Sequence, residues 1–232
     1  MSEILTCEAL TKCYDKDKTA LDGVDLHVNF GRIVGLLGPN GSGKTTLIKL
    51  ANGLLVPSSG VVTIDGHTPG PETKGLISYL PERTYLSGWM NVVQLLDFFG
   101  DFYPDFDRDA AEHMLSALDV SPRLRIKQMS KGTREKVQLI MVMSRAAKLY
   151  LLDEPLNGID LLARDEVVNT ILTNMSDNAS VVISSHLVEE LERIIDKAIF
   201  MKDGQIVLMG DVEEIRQERG ESVTDLYRQI YG

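Results

Sequence analysis

Cysteine is almost absent from this 232-residue chain: Cys7 and Cys13 are the two, and both lie near the N-terminus. With no further cysteine to complete a zinc set and no ladder of pairs, the thiols read as reduced residues of a cytosolic sheet. Long apolar runs are missing too, and none approaches the roughly 20 residues that a bilayer span needs. The opening Met1-Ser2-Glu3-Ile4 carries neither a basic stretch nor an apolar core, so no leader is expected. Any membrane role then comes through a partner. Positive charge is scarce, with 24 Lys and Arg against 34 Asp and Glu and a net charge of −10. Neutralising nucleic-acid phosphates takes a surplus of cations, so no nucleic-acid partner is expected, although a local basic groove is not forbidden.

What remains is ordinary globular material, 25% charged and 44% hydrophobic, long enough for one or two domains with a proper core. Its organising stretch is Gly38-Pro39-Asn40-Gly41-Ser42-Gly43-Lys44-Thr45-Thr46, entered from the apolar run Ile33–Leu37 and left through the helix-compatible run Leu47–Asn52. Three glycines let successive N–H groups converge, and a helix opening at Lys44 aims its positive end at the same point. Lys44 then reaches the β- and γ-phosphates of a nucleotide, and the Thr45 hydroxyl takes a place on Mg²⁺. The competing reading is a Gly-rich strand-to-helix turn that binds nothing.

Strand periodicity dominates the first part. Val24, Leu26 and Val28 alternate with Asp25, His27 and Asn29, as in a half-buried strand, and Ile4–Leu10 is a second, less regular one. Polar turns are expected at residues 14–18 and 29–32, and Pro57-Ser58-Ser59-Gly60 breaks the chain before a strand at 61–64. Another strand covers 76–80. From Trp89 to about Ala147 the period becomes helical, with Ala110, Met114 and Leu118 on one face. Seven of the fourteen aromatics fall between Tyr85 and Phe106; most are expected in the core, the alternative being an apolar groove for a partner helix. Strands return at 149–152, 180–185, 198–201 and 206–209, with helices expected at 161–175 and 187–195, a hairpin turn at Asp203-Gly204, and a charged tail from Asp211 in two helical pieces. Alternation of this kind around a phosphate loop predicts an α/β fold, an open and mostly parallel sheet flanked by helices, with a small antiparallel β-layer and a helical insert.

A second charged site is Asp153-Glu154, at the C-terminal end of an apolar strand, where such sheets place their ligands. Asp153 suits the Mg²⁺ implied by Thr45, and Glu154 can orient or deprotonate a water for in-line attack on a γ-phosphate. In isolation, solvated acids capping a strand would read the same.

Taken in order, the phosphate loop, Met129-Ser130-Lys131-Gly132-Thr133, the run from Leu149 to Pro155, Asn157-Gly158-Ile159-Asp160 and Ser185-His186 resemble the ATP-binding cassette of ABC transporters over nearly the whole chain. The resemblance implies a P-loop NTPase core with β-layer over 1–88 and 148–210, a helical subdomain over 89–147 and a short tail over 211–232. It implies an ATPase using ATP and Mg²⁺, head-to-tail dimerisation with a second cassette, and permease subunits on separate chains that hold it at the cytoplasmic face of the cell membrane. Tyr14 matches the aromatic that stacks on adenine, Ser130 and Gly132 the signature that meets the γ-phosphate held by the opposite subunit, Asp160 the loop that crosses the dimer, and His186 the histidine that contacts the γ-phosphate. The chain also departs from the family. Lys131 and Thr133 stand where glycine and glutamine are usual, Asn157 where serine is, and Glu82, after Tyr79-Leu80-Pro81, where many members carry glutamine. A carboxylate there can contact Mg²⁺ or water, but it repels the γ-phosphate when no metal intervenes. The variations resemble the bacterial ABC-2 exporter-like group. A soluble ATPase of translation or DNA repair, and a weakly hydrolysing member of a heterodimeric pair, are the alternatives.

Overall fold

Strand β3 (Ile33–Leu37) is apolar and buried at every position, as a strand covered on both faces must be. In the computed structural model, which describes residues 2–15, 18–176 and 178–232, it lies inside a six-stranded sheet. Its neighbours are β7 (Ser180–Ser185) and β8 (Lys197–Lys202); β6 (Leu149–Asp153) and β5 (Ile77–Leu80) extend the β7 side, and all five run parallel. Antiparallel β9 (Gln205–Asp211) closes the β8 edge through the expected turn, where Asp203 and Gly204 both take positive φ. A second, antiparallel sheet is ordered β2-β1-β4, from β1 (Glu3–Asp15), β2 (Lys18–Asn29) and β4 (Ser59–Ile64).

The period of two in the parallel strands sorts their side chains into two cores. Val34 and Leu36, with Leu149, Leu151 and Val182, face the β-layer and helix α1 (Lys44–Ala51). Ile33 and Leu37, with Tyr150, Leu152 and Ile183, face the opposite way, under the remaining helices. After one-turn α2 (Pro71–Lys74), the insert between β5 and β6 holds α3 (Val92–Phe102), α4 (Arg108–Ala117), a 3-10 turn at Ile126–Gln128 and α5 (Lys131–Met143). Then come α6 (Leu161–Asn174), α7 (Val188–Leu191), α8 (Val212–Arg219) and α9 (Val223–Tyr231). Among the described residues, no helix is long and apolar enough to cross a membrane.

Several expectations need correction. Of the seven clustered aromatics only Phe99 is buried; Tyr103 and Phe106 are half-buried against it, while Tyr85, Trp89, Phe98 and Phe102 are exposed. The cause is helix phase. Asn91 and Gln94 cap α3 reciprocally and fix its start, so Val92, Leu95, Leu96 and Phe99 turn inward and Phe98 and Phe102, four residues apart, turn out. The break expected at 57–60 is partly strand, because Gly60, at φ +78°, packs its Cα against the Ala9 carbonyl at a bulge of β1, which leaves no room for a Cβ. The helix expected over 187–195 is only one turn, because Asp196 accepts from the Ile33 N–H and donates its own N–H to the Ile33 carbonyl, pulling the chain into the sheet. In α4 the expected stripe holds, with Met114 and Leu118 buried and Ala110 half-buried, and Ala111 and Leu115 widen the buried face by one position. Tyr14 and Asp15 belong to β1 and Lys18 to β2; the rest of the turn expected there, Lys16 and Asp17, lies outside the described residues.

Candidate active site

The loop between β3 and α1 is shaped by its glycines. Gly41 and Gly43 take φ of +87° and +109°. Gly43 also leaves no room for a side chain, since a Cβ there would meet the Ala20 carbonyl at 2.7 Å. Gly38 is equally tight, against the Met201 carbonyl and the Ser42 hydroxyl. Helix α1 starts at Gly43 with no side-chain cap, so its first N–H groups remain free for an anion. Lys44 is buried, and its ammonium donates to the carbonyls of Gly38 (2.7 Å) and Pro39 (3.1 Å), which folds it back over the loop. Burial lowers its pKa, opposed by the nearby carboxylates of Glu154, Asp153 and Glu82.

Beside the lysine lies a connected set of carboxylates and hydroxyls. Thr45 Oγ1 donates to Asp153 Oδ1 at 3.0 Å and Ser184 Oγ donates to the same oxygen at 2.7 Å, while Asp153 Oδ2 is buried with no partner. Burial raises the Asp153 pKa, against the two hydroxyl hydrogen bonds. Glu154 follows on a left-handed backbone, φ +53°, rare for a residue with a side chain and a form of strain found at functional sites. Its N–H donates to Ser184 Oγ at 3.0 Å. Its side chain is buried, with Oε2 2.9 Å from His186 Nδ1 and Oε1 3.6 Å from Lys44 Nζ, an ion-pair distance beyond hydrogen-bond range.

Over this set opens a cavity of about 350 Å³, lined by Tyr14, Ala20, Asn40, Lys44, Glu82 and Glu154 among others. Tyr14 stands at its rim, half exposed, with its hydroxyl 3.3 Å from Thr46 Oγ1. Glu82 is exposed at the cavity wall, on a loop that Gln138 of α5 grips from both sides: Gln138 donates to the Pro81 carbonyl at 3.0 Å and accepts from the Tyr85 N–H at 3.3 Å. The fold thus brings Gly41, Gly43, Lys44, Thr45, Thr46, Glu82, Asp153, Glu154 and His186 to one place. Ser130, Gly132 and Asp160 do not line the cavity. Ser130 caps α5, accepting from the Thr133 N–H at 3.1 Å, and Gly132 packs against the Gly158 carbonyl. Asp160, exposed, opens α6.

Sequence reasoning missed Ser184, which holds both neighbouring acids. Its signal was a buried serine after the apolar run Val181–Ile183, one position before the serine that precedes His186. Among the described residues no three His, Cys, Asp or Glu side chains gather as a metal cage. Mg²⁺ seldom uses one; it takes one or two protein oxygens and completes its shell with phosphate and water. The Thr45 hydroxyl and the orphaned Asp153 Oδ2 fit that pattern, with Glu82 across the cavity.

Comparison with known proteins agrees with this geometry. A family model described as ABC transporter matches residues 21–157. The chain is 30% identical over 212 residues to the ABC transporter ATP-binding protein YtrB of Bacillus subtilis, covering 90% of this chain and 72% of that one. It is likewise 30% identical to the daunorubicin resistance ATP-binding protein DrrA3 of Streptomyces coeruleorubidus, covering 93% of this chain and 71% of that one. The solved structure of an ATP-binding subunit of an ABC transporter superposes with a TM-score of 0.86 at 27% identity, covering 99% of this chain and all of the other.

Proposed function

The chain belongs to the ABC transporter family of ATP-binding proteins, and from that premise we propose how its residues divide the work of an ATP-hydrolysing transporter subunit. The nucleotide's phosphates lie in the loop from Gly38 to Thr46, on the free N–H groups of α1, and Lys44 turns from the loop carbonyls to the β- and γ-phosphates. Tyr14 takes the adenine at the rim. Thr45 and Asp153 would hold Mg²⁺, with Glu82 available as a further oxygen at the cavity wall, and the ion would supply positive charge to neutralise the phosphate oxygens. Glu154 accepts the proton of the attacking water. His186, fixed by its contact with Glu154, orients that carboxylate and meets the γ-phosphate.

Ser130, Gly132 and Asp160, which lie outside their own chain's cavity, serve the site of a second cassette in a head-to-tail dimer, where Lys131 adds a cation toward the partner's phosphates. Residues 89–147 act as a helical subdomain on the core. The exposed Trp89, Phe98 and Phe102 form the face on which permease subunits, separate chains, seat and hold this one at the cytoplasmic side of the membrane. Likeness to the daunorubicin resistance protein supports an exporter-like assembly.

The observation that carries this reading is the unbroken chain from Lys44 through Glu154 to His186 beside the Thr45–Asp153 pair. Its test is Glu154→Gln. Turnover is expected to fall at least about a hundredfold, with ATP still bound and the dimer persisting long enough to isolate. Undiminished steady-state hydrolysis would remove Glu154 from the role of base.

A further inference from the structure

The phosphate loop and His186 are tied together by the far end of the chain. Tyr231, on the last turn of α9, sends its hydroxyl under the loop, where it donates to the Met201 carbonyl at 2.8 Å and lies 3.3 Å from that of Leu37, the residue before Gly38. The same Met201 carbonyl is what leaves no space at Gly38. Tyr231 therefore meets the loop at its tightest point. The other end of α9 is fixed by Glu192, whose carboxylate accepts from the N–H groups of Val223 and Thr224 (3.1 and 3.2 Å) and from the Thr224 hydroxyl (2.8 Å). Glu192 directly follows α7, which begins two residues after His186. Between its ends α9 buries Val223 and Leu226 and packs Tyr227 against Tyr231, ring centroids 4.5 Å apart and planes tilted by 52°. Tyr227 also shares with His186 and Arg164 a cleft of about 300 Å³.

We propose that α9 is a positioning strut for the ATP site: the Tyr231 hydroxyl sets the base of the phosphate loop while Glu192 pins the helix to the segment carrying His186, so that Lys44 and the Glu154–His186 pair keep a fixed separation. Neither Tyr231 nor Glu192 lines the cavity over the phosphate loop. Each acts through the backbone that presents Lys44 or His186. A phosphate loop already held in its binding geometry loses less of the binding free energy to ordering the chain, so loosening its base weakens nucleotide affinity before it slows the chemical step.

Tyr231→Phe separates the strut from simple packing, because the ring and its contact with Tyr227 survive while the hydroxyl is lost. Two measurements on the full chain decide. Amide hydrogen exchange without nucleotide is expected to be faster across residues 38–46 than in the parent, with exchange in the β-layer unchanged. ADP titration and steady-state kinetics are expected to show affinity weakened about three- to tenfold, with a larger effect on KM than on kcat. Met114→Ala, which empties part of the helical insert, controls for general destabilisation and is expected to lower the melting temperature without either effect. Unchanged loop exchange in Tyr231→Phe overturns the strut, whatever the nucleotide data show. So does Met114→Ala loosening the loop and raising KM to the same degree. A parent chain that bound no ADP would count against the nucleotide site itself, and the exchange measurement would still decide the strut.

Discussion

Glu154 divides its carboxylate between a cation and an imidazole while its backbone sits in a conformation that few side chains tolerate. That arrangement is held partly by Ser184, whose hydroxyl accepts from the Glu154 N–H and donates to Asp153. Ser184→Ala is therefore expected to cost about 1–2 kcal/mol of stability, read from denaturant unfolding, and to slow ATP turnover about tenfold while nucleotide affinity changes less than threefold. Equal loss of affinity and turnover would show that the serine serves binding instead. Gly38→Ala acts through space, because the added methyl collides with the Met201 carbonyl and the Ser42 hydroxyl. Nucleotide binding is expected to be lost, with a melting temperature lower by several degrees. At this scale the phosphate loop and Asp153-Glu154 were legible because each residue type has a narrow chemical use. Ser184 was not, since it is one of three serines in a buried strand and its meaning depends on a neighbour 31 positions away in sequence.

Helix α9 is capped at its start by Ser222 with Asp225, and Glu192 ties that end to the segment after α7. Burial works against the ionised form of Glu192, but the Thr224 hydroxyl, the Val223 and Thr224 N–H groups and Arg216 outweigh it and hold its pKa below the usual glutamate range. A carboxyl depressed in this way stabilises the fold above its unfolded pKa of about 4.3 and loses that contribution as pH falls through the lower, folded value. Glu192→Gln is expected to lower the melting temperature by about 3–6 °C at pH 7, and the gap from the parent should close below about pH 4. A gap that stayed constant into acid would mean that the charge contributes nothing. The sequence placed α9 in a two-piece helical tail, because Ser222 and the buried spacing of Val223 and Leu226 are local signals. It misjudged α7, cut short by a pairing with Ile33 that lies at the far end of the chain. It misjudged the aromatic cluster as well, since which of Phe98 and Phe99 turns inward is fixed by the cap at Asn91 rather than by hydrophobicity, which the two share.

At the scale of the whole molecule, the proposed docking face rests on that outward-facing aromatic set. Trp89 and Phe102 are 63% and 66% exposed, a large apolar investment for a surface in water. Replacing both with serine is expected to leave the isolated chain's ATPase rate within about twofold while reducing capture of membrane subunits from solubilised membranes at least tenfold. Retained capture would move the docking face elsewhere. Fold class was legible from the alternation of strand and helix about one phosphate loop. The order of strands was not, because period and length say nothing of which strand lies beside which. That order has a consequence for synthesis. Strand β3, which carries the phosphate loop, finds both of its neighbours in β7 and β8, about 150 residues further along. A growing polypeptide therefore leaves the ribosome with its central strand unpaired until most of the chain has been made. The ATP site is among the last features to form, so a nascent chain stalled before β7 leaves the apolar strand β3 without either of its hydrogen-bonding neighbours.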